Sequence, residues 1–299
     1  MEGTRLDDRL GLNVPYEWWP RAAALKAIEA TGFEWIQVAS PPIEMLADPR
    51  HVVRHSQALR RSLEVTQLRA VVHGPTSLQL GTPLHDRAGE GLLEYAHQLG
   101  ASHVIYHALD MPRMGAESER EEFSLRRLAR WAEVIGVVIC LENLCPLYPG
   151  EAHVCHDPGA VHKLVLGCNS PAVGMVFDLG HANVVADREG TDVAALLAPV
   201  RDVVSLFHVH DNLGARRRDD GGLRFDPLRL DLHLPPGIGT LPWESIARML
   251  SASTAPLVME IHPSHRPPAA ALAEALRAVV LGEPAADVSA LETVPNFLA

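Results

Sequence analysis

The chain has 299 residues, 47% of them hydrophobic and 21% charged, enough for one large α/β domain with a sizeable core and not the composition of a disordered chain. Acidic residues outnumber basic ones 37 to 26, and the net charge of −11 disfavours a broad nucleic-acid-binding face. The opening MEGTRLDDRL has no apolar signal core and no run is long enough to span a bilayer, so a cytoplasmic protein with no membrane partner is expected.

In chain order, short Val- and Ile-rich runs alternate with longer amphipathic stretches, the pattern of repeated βα units. Strands are expected at Leu10 to Val14, Phe33 to Val38, Leu68 to His73, Val104 to His107, Val137 to Glu142, Val173 to Asp178, Val203 to His208 and Leu257 to Ile261. Helices are expected between them at Arg21 to Ala30, Arg50 to Leu63, Arg87 to Leu99, Ser118 to Val134, Pro158 to Leu166, Asp192 to Leu197 and Trp243 to Leu250, with Pro268 to Val280 closing the ring. Eight such units, with no GxGxxG after the first strand, predict a single-domain (β/α)8 barrel over residues 1–281. Residues 282–299 lose the helical period and are expected to form a tail packed across the barrel or onto a second subunit, so a homo-oligomer is one expected outcome. Cys140, Cys145, Cys155 and Cys168 lack CxxC spacing and read as free thiols.

The last polar residues of strands three to eight are His73, His107, Glu142, Asp178, His208 and Glu260. Their intervals of 34, 35, 36 and 30 residues match one βα unit each, and the final 52 absorbs a long seventh connection from Val209 to Thr240. That period places all six at the C-terminal mouth, where barrel enzymes carry their sites. Any one could be a hydrogen-bonded buried side chain. Together, three carboxylates and three imidazoles would be desolvated and mutually repelled without a cation, and the mixed N/O set suits Zn2+ or Mn2+. Three further candidate ligands sit in expected loops: His181 in FDLGHAN, and the Asp231 and His233 pair.

The segments VVHGP, VIYHA, CLENL, FDLGHAN, LFHVHDN, LDLHLPPGIGTLPW and VMEIH, in this order, resemble the xylose-isomerase-like barrels over about residues 8–281. That family includes sugar and sugar-phosphate isomerases and epimerases as well as the abasic-site nuclease endonuclease IV. Resemblance to the first branch implies one metal at Glu142, Asp178, His208 and Glu260, with Glu142 and Glu260 as the catalytic acid/base pair. Resemblance to the second implies three zinc ions: one near His73, His107 and Glu142, one near Glu142, Asp178, His208 and Glu260, and one near His181, Asp231 and His233. One to three divalent ions per chain are therefore expected.

The LPPGIGTLPW text and the acidic charge tip the expectation to a small sugar or phosphorylated substrate, with a zinc phosphoesterase as the alternative and a non-catalytic metal-binding barrel as the bland reading. Trp18 and Trp19 are candidates to stack on a sugar under the first loop, or to pack against the last helix. His210 and His262, each two residues past a ligand position, are candidate substrate contacts, as is Asn143; Asn183 has a similar orienting role. Arg216, Arg217 and Arg218 either recruit a phosphate or form a solvated run. A lidded pocket beneath the first and seventh loops is expected.

Overall fold

The computed structural model describes residues 5–14, 20–146, 151–219, 222–225 and 231–283, without the side chains of 216–219 and 222–225. Its strands are β1 (Leu10–Val14), β2 (Trp35–Ala39), β3 (Arg69–His73), β4 (His103–Tyr106), β5 (Val138–Glu142), β6 (Val173–Asp178), β7 (Val204–Val209), β8 (Arg216–Asp219), β9 (Gly222–Phe225) and β10 (Leu257–Met259). Eight of them close a parallel barrel in the order β1-β10-β7-β6-β5-β4-β3-β2, and β8 and β9 form a separate antiparallel hairpin. The predicted (β/α)8 barrel is therefore the fold. No described helix is long and apolar enough to cross a membrane.

A strand in a closed barrel turns alternate side chains inward, and these strands apply that rule with one consistent phase. Trp35, Val71, Ile105, Cys140, Val176, Leu206 and Val258 form a compact cluster inside the barrel. Gly11 completes the ring on β1: a Cβ there would come within 2.8 Å of Val258 and 3.0 Å of Trp35, so the bulky indole occupies the room that glycine leaves. Two residues further along each strand path stand Asn13, Gln37, His73, His107, Glu142, Asp178, His208 and Glu260. An apolar plug is thus crowned by eight polar side chains. A larger shell, including Leu25, Leu59, Leu93, Leu125 and Leu276, packs the outer strand faces against the helices.

Three expectations change. The FDLGHAN segment is not a loop: Asp178 accepts the His181 backbone N–H at 2.6 Å and starts a helix over Leu179–Glu189. Gly180 and Asn183 read as turn formers, but an Asp N-cap outweighs them. The seventh connection is not one open loop, since it holds the β8–β9 hairpin and a bridge between Asp211 and Leu234. Strand ends also shift, leaving His107 and Glu260 one residue beyond β4 and β10, although Glu260 N–H still donates to Val209 O at 3.2 Å. All four cysteines are free and buried. Trp18, Trp19, most of the tail (284–299) and the roof of the expected lidded pocket lie outside the described residues, as do the Arg216, Arg217 and Arg218 side chains.

Candidate metal centre

Three adjoining groups of donors, each within 4.8 Å, gather at the mouth: His73, His107 and Glu142, and Glu142, Asp178, His208 and Glu260, both from the crown, and His181, His210, Asp231 and His233 from the connections beyond it. Glu142 belongs to two of them. Its Oε2 lies 3.2 Å from His107 Nε2 and 3.5 Å from His73 Nε2, while its Oε1 lies 2.9 Å from His208 Nδ1. His208 Nδ1 also faces Glu260 Oε2 at 3.5 Å and Asp178 Oδ2 at 3.6 Å. Asp178 links onward to the third group through His210 Nε2 at 3.1 Å. There, Asp231 Oδ2 is 3.1 Å from His233 Nε2 and 3.6 Å from His181 Nε2.

Backbone carbonyls decide which ring nitrogen each imidazole presents. The Nδ1–H of His73 donates to Gly74 O at 2.7 Å, that of His181 to Asn143 O at 2.9 Å and that of His233 to Glu260 O at 2.8 Å. A carbonyl can only accept, so in the neutral ring the lone pair is left on Nε2, pointing into the cluster. Such anchoring is how protein structures orient histidines toward a cation. His210 stacks on His233 at 3.9 Å between centroids and lies over Gly180, whose missing Cβ would sit 2.1 Å from the ring.

Electrostatics carry the same message. Burial by itself would lower the imidazole pKa values, yet Glu260 and Glu142 hold His208 well above its ordinary range, and Asp178 and Asp231 do so for His181. Burial likewise lowers His233 while Asp231 lifts it to about 9. The carboxylates shift oppositely: burial would raise Glu142, Glu260 and Asp231, but neighbouring imidazoles hold all three below the usual range. Among the described residues, every ion-pair partner of Glu142, Asp178, Asp231 and Glu260 is an imidazole. Among the described residues, Glu142 Oε2, His107 Nε2, His210 Nδ1 and Asp231 Oδ1 are buried without a hydrogen-bond partner. Buried polar atoms in that state call for a counter-charge, and oxygen and imidazole donors fit a divalent cation.

Other expected contacts come out differently. His210 is fully buried and joins the third donor group rather than standing above it as a substrate contact. Asn143 is 1% exposed, and its amide is spent on the Asp178 backbone, accepting from Asp178 N–H at 2.9 Å and donating to Asp178 O at 3.1 Å. It holds the Asp178 backbone in place and, buried, is not turned toward a substrate. His262 is exposed and turned to the Ser264 hydroxyl at 2.5 Å, outside all three groups. Asn183 donates to Asn212 Oδ1 at 2.8 Å and to Thr240, tying the sixth and seventh connections together.

Sequence reasoning overlooked Gln37, Asn13 and Asp211. Gln37 donates to Glu260 and accepts from His208, and Asn13 accepts from Arg266 and from the Ile261 N–H. Extending the period-two count to strands one and two would have found both. Asp211, fully buried, takes the Gly237 and Leu241 N–H groups at 3.0 and 3.1 Å and the Trp243 indole N–H at 3.0 Å. It thereby folds the LPPGIGTLPW segment back beside His233.

The barrel and its mouth define a family. The model of the xylose isomerase-like TIM barrel matches residues 25–280, and the chain belongs to that family. Among solved structures it is similar to a D-tagatose 3-epimerase-like protein, at 19% identity, TM-score 0.66, covering 91% of this chain and 97% of that one. It is also similar to a xylose isomerase domain protein from Alicyclobacillus acidocaldarius subsp. acidocaldarius, at 19% identity, TM-score 0.65, covering 91% and 98%. An L-ribulose 3-epimerase aligns at 16% identity, TM-score 0.64, over 97% and 99%. Likeness at this level is likeness of fold. No curated protein matches the chain.

Proposed function

We propose that the chain is a divalent-metal-dependent isomerase or epimerase acting on a small sugar or sugar phosphate. The observation that carries the reading is the pair of buried carboxylates, Glu142 and Glu260, approaching the same His208 Nδ1 at 2.9 and 3.5 Å. Glu142, Asp178, His208 and Glu260 would hold a Zn2+ or Mn2+ ion, which when bound would acidify the C–H bond beside a substrate carbonyl. Both glutamates are held below the usual carboxylate range, so both are ionised and competent as bases at neutral pH. One removes the proton; in an isomerisation it gives the same proton back at the neighbouring carbon, and in an epimerisation the other first takes up a proton from solvent and delivers it to the opposite face. The epimerases among the structural neighbours support this choice of chemistry.

The test is a ketose and ketose-phosphate panel in deuterated water, with metal content measured on the same sample. Conversion, or deuterium uptake at carbon, that disappears in Glu142→Gln and in Glu260→Gln is expected. A fully metal-loaded protein that exchanges no C–H proton on any member would sink the reading.

A second reading has its own observation. Glu142 divides its two oxygens between two donor groups, and Asp178 leads through His210 to a third. One centre suffices for proton transfer, whereas three suit phosphate-ester hydrolysis. Under it, the four third-group residues would hold an ion too and a water would be the nucleophile. Close to three zinc ions per chain with cleavage of abasic DNA or a phosphomonoester would favour it; one ion with ketose turnover would favour the first.

A further inference from the structure

Gln37 enters the mouth from β2, 4% exposed, and touches two of the four residues of the central donor group. Its amide nitrogen lies against Glu260 Oε1, and its amide oxygen is 2.8 Å from His208 Nε2. We infer that Gln37 is a positioning residue that dictates the His208 tautomer and fixes the Glu260 carboxylate with Oε2 turned to the centre, so that the central donor group is assembled in one arrangement only. The inference rests on the proposed metal reading of that group.

The argument runs from acceptors to donors. An ionised Glu260 can only accept, so the amide NH2 must face it, which settles the end-for-end orientation of Gln37. The amide oxygen then faces His208 and can itself only accept. His208 Nε2 must therefore carry the hydrogen, which leaves the Nδ1 lone pair aimed at Glu142 Oε1, Glu260 Oε2 and Asp178 Oδ2. Four electron-rich atoms converge on one point, and only a proton or a metal ion can sit between them. His73, His181 and His233 achieve the same end with backbone carbonyls. His208 differs from these three, anchored by a side chain whose other end holds the residue opposite. With Glu260 Oε1 held by the amide, Oε2 is the oxygen turned to His208 Nδ1.

Neither neighbour of glutamine in size or charge can do this. Leucine supplies no hydrogen bond. Glutamate would set a carboxylate against Glu260 and can imitate the amide only when protonated, its OH donating to Glu260 and its carbonyl accepting from His208.

The test is Mn2+ affinity of the full chain, with Gln37→Leu and Gln37→Glu compared to the parent at pH 5.5 and pH 8, and near-UV circular dichroism as the fold control. Gln37→Leu is expected to bind about 10- to 100-fold more weakly at both pH values. Gln37→Glu should approach the parent at pH 5.5 and fall at least about 10-fold behind it at pH 8, a crossover that loss of packing would not produce and that keeps the test open if the leucine variant does not fold. Nitrogen-15 spectra of the Zn2+-loaded parent should place the remaining His208 proton on Nε2. Unchanged affinity in both variants, no pH dependence in Gln37→Glu, or a proton on Nδ1 overturns the inference. These readouts need no substrate, so absence of isomerase turnover leaves the inference standing and defeats only the function; a chain that takes up neither Mn2+ nor Zn2+ defeats both.

Discussion

At the scale of single residues, the cluster titrates as one neighbourhood of imidazoles raised by carboxylates. His233, raised from 6.5 to about 9, contributes stability that is complete below about 6.5 and lost as pH rises through about 9. His208 and His181 add in the same direction. The metal-free protein should therefore lose about 2–3 kcal/mol of unfolding free energy between pH 6.5 and 9.5 from His233 alone, seen in urea midpoints with chelator present. Added Zn2+ should flatten that slope by taking the place of the protons; an equally steep slope with the ion bound would contradict it. Gly180 offers a sharper probe, because an alanine Cβ would lie 2.1 to 2.6 Å from three atoms of the His210 ring. If the His181, His210, Asp231 and His233 group binds an ion, Gly180→Ala is expected to lower metal content by one ion per chain while binding at the Glu142 and His208 group persists.

Elements carry the ligands to their places, and two buried carboxylates outside the cluster hold those elements. Glu121, on the helix over Ala116–Ile135, accepts from the Tyr106 hydroxyl and from Leu109 N–H at 3.2 Å, and so fixes the turn that contains His107. Burial pushes Glu121 up to about 7 from 4.5, so the stability it permits is complete below about 4.5 and lost as pH rises through about 7. Gln keeps an acceptor and carries no charge: Glu121→Gln should stabilise the chain by about 1–3 kcal/mol at pH 8 and by nearly nothing at pH 4.5, measured by urea unfolding at both. Asp211 does the corresponding work for the seventh connection. Asp211→Asn turns an amide toward N–H donors and should cost about 2–4 kcal/mol. It should also weaken metal binding at His233, since Leu234 pairs with Asp211 directly after it. A loss of stability with unaltered metal content would separate the two effects.

Over the whole molecule, barrel closure converts eight separate strand ends into one charged cavity, and Glu142 is its hub. A substitution there should be felt in two donor groups at once: Glu142→Gln is expected to lower metal content by more than one ion per chain if three bind, with turnover gone. Glu260→Gln should abolish turnover with the smaller loss. Chelation should lower the melting temperature of the parent more than that of Glu142→Gln, because the variant has less bound metal to lose. Equal shifts would argue that the ions sit elsewhere.

The alternation of strands and helices, and the polar residue closing each of strands three to eight, were legible from local periodicity, because pleating and helical pitch are properties of neighbouring residues. The same periodicity pointed to six of the nine expected ligands, the strand-end residues; His181, Asp231 and His233 were expected in loops, and the grouping of the nine came from the family resemblance. What else joins those groups was another matter. Gln37 and Glu260 are 223 residues apart and meet only because β2 and β10 both flank β1 in the closed ring. His210 was expected as a substrate contact, and stacking on His233 and the gap at Gly180 place it in the third group instead. His181 passed for a loop residue because its helix begins on a hydrogen bond from its own N–H to Asp178. Spacing along a chain sets which way a side chain faces; only closure in space sets what it faces.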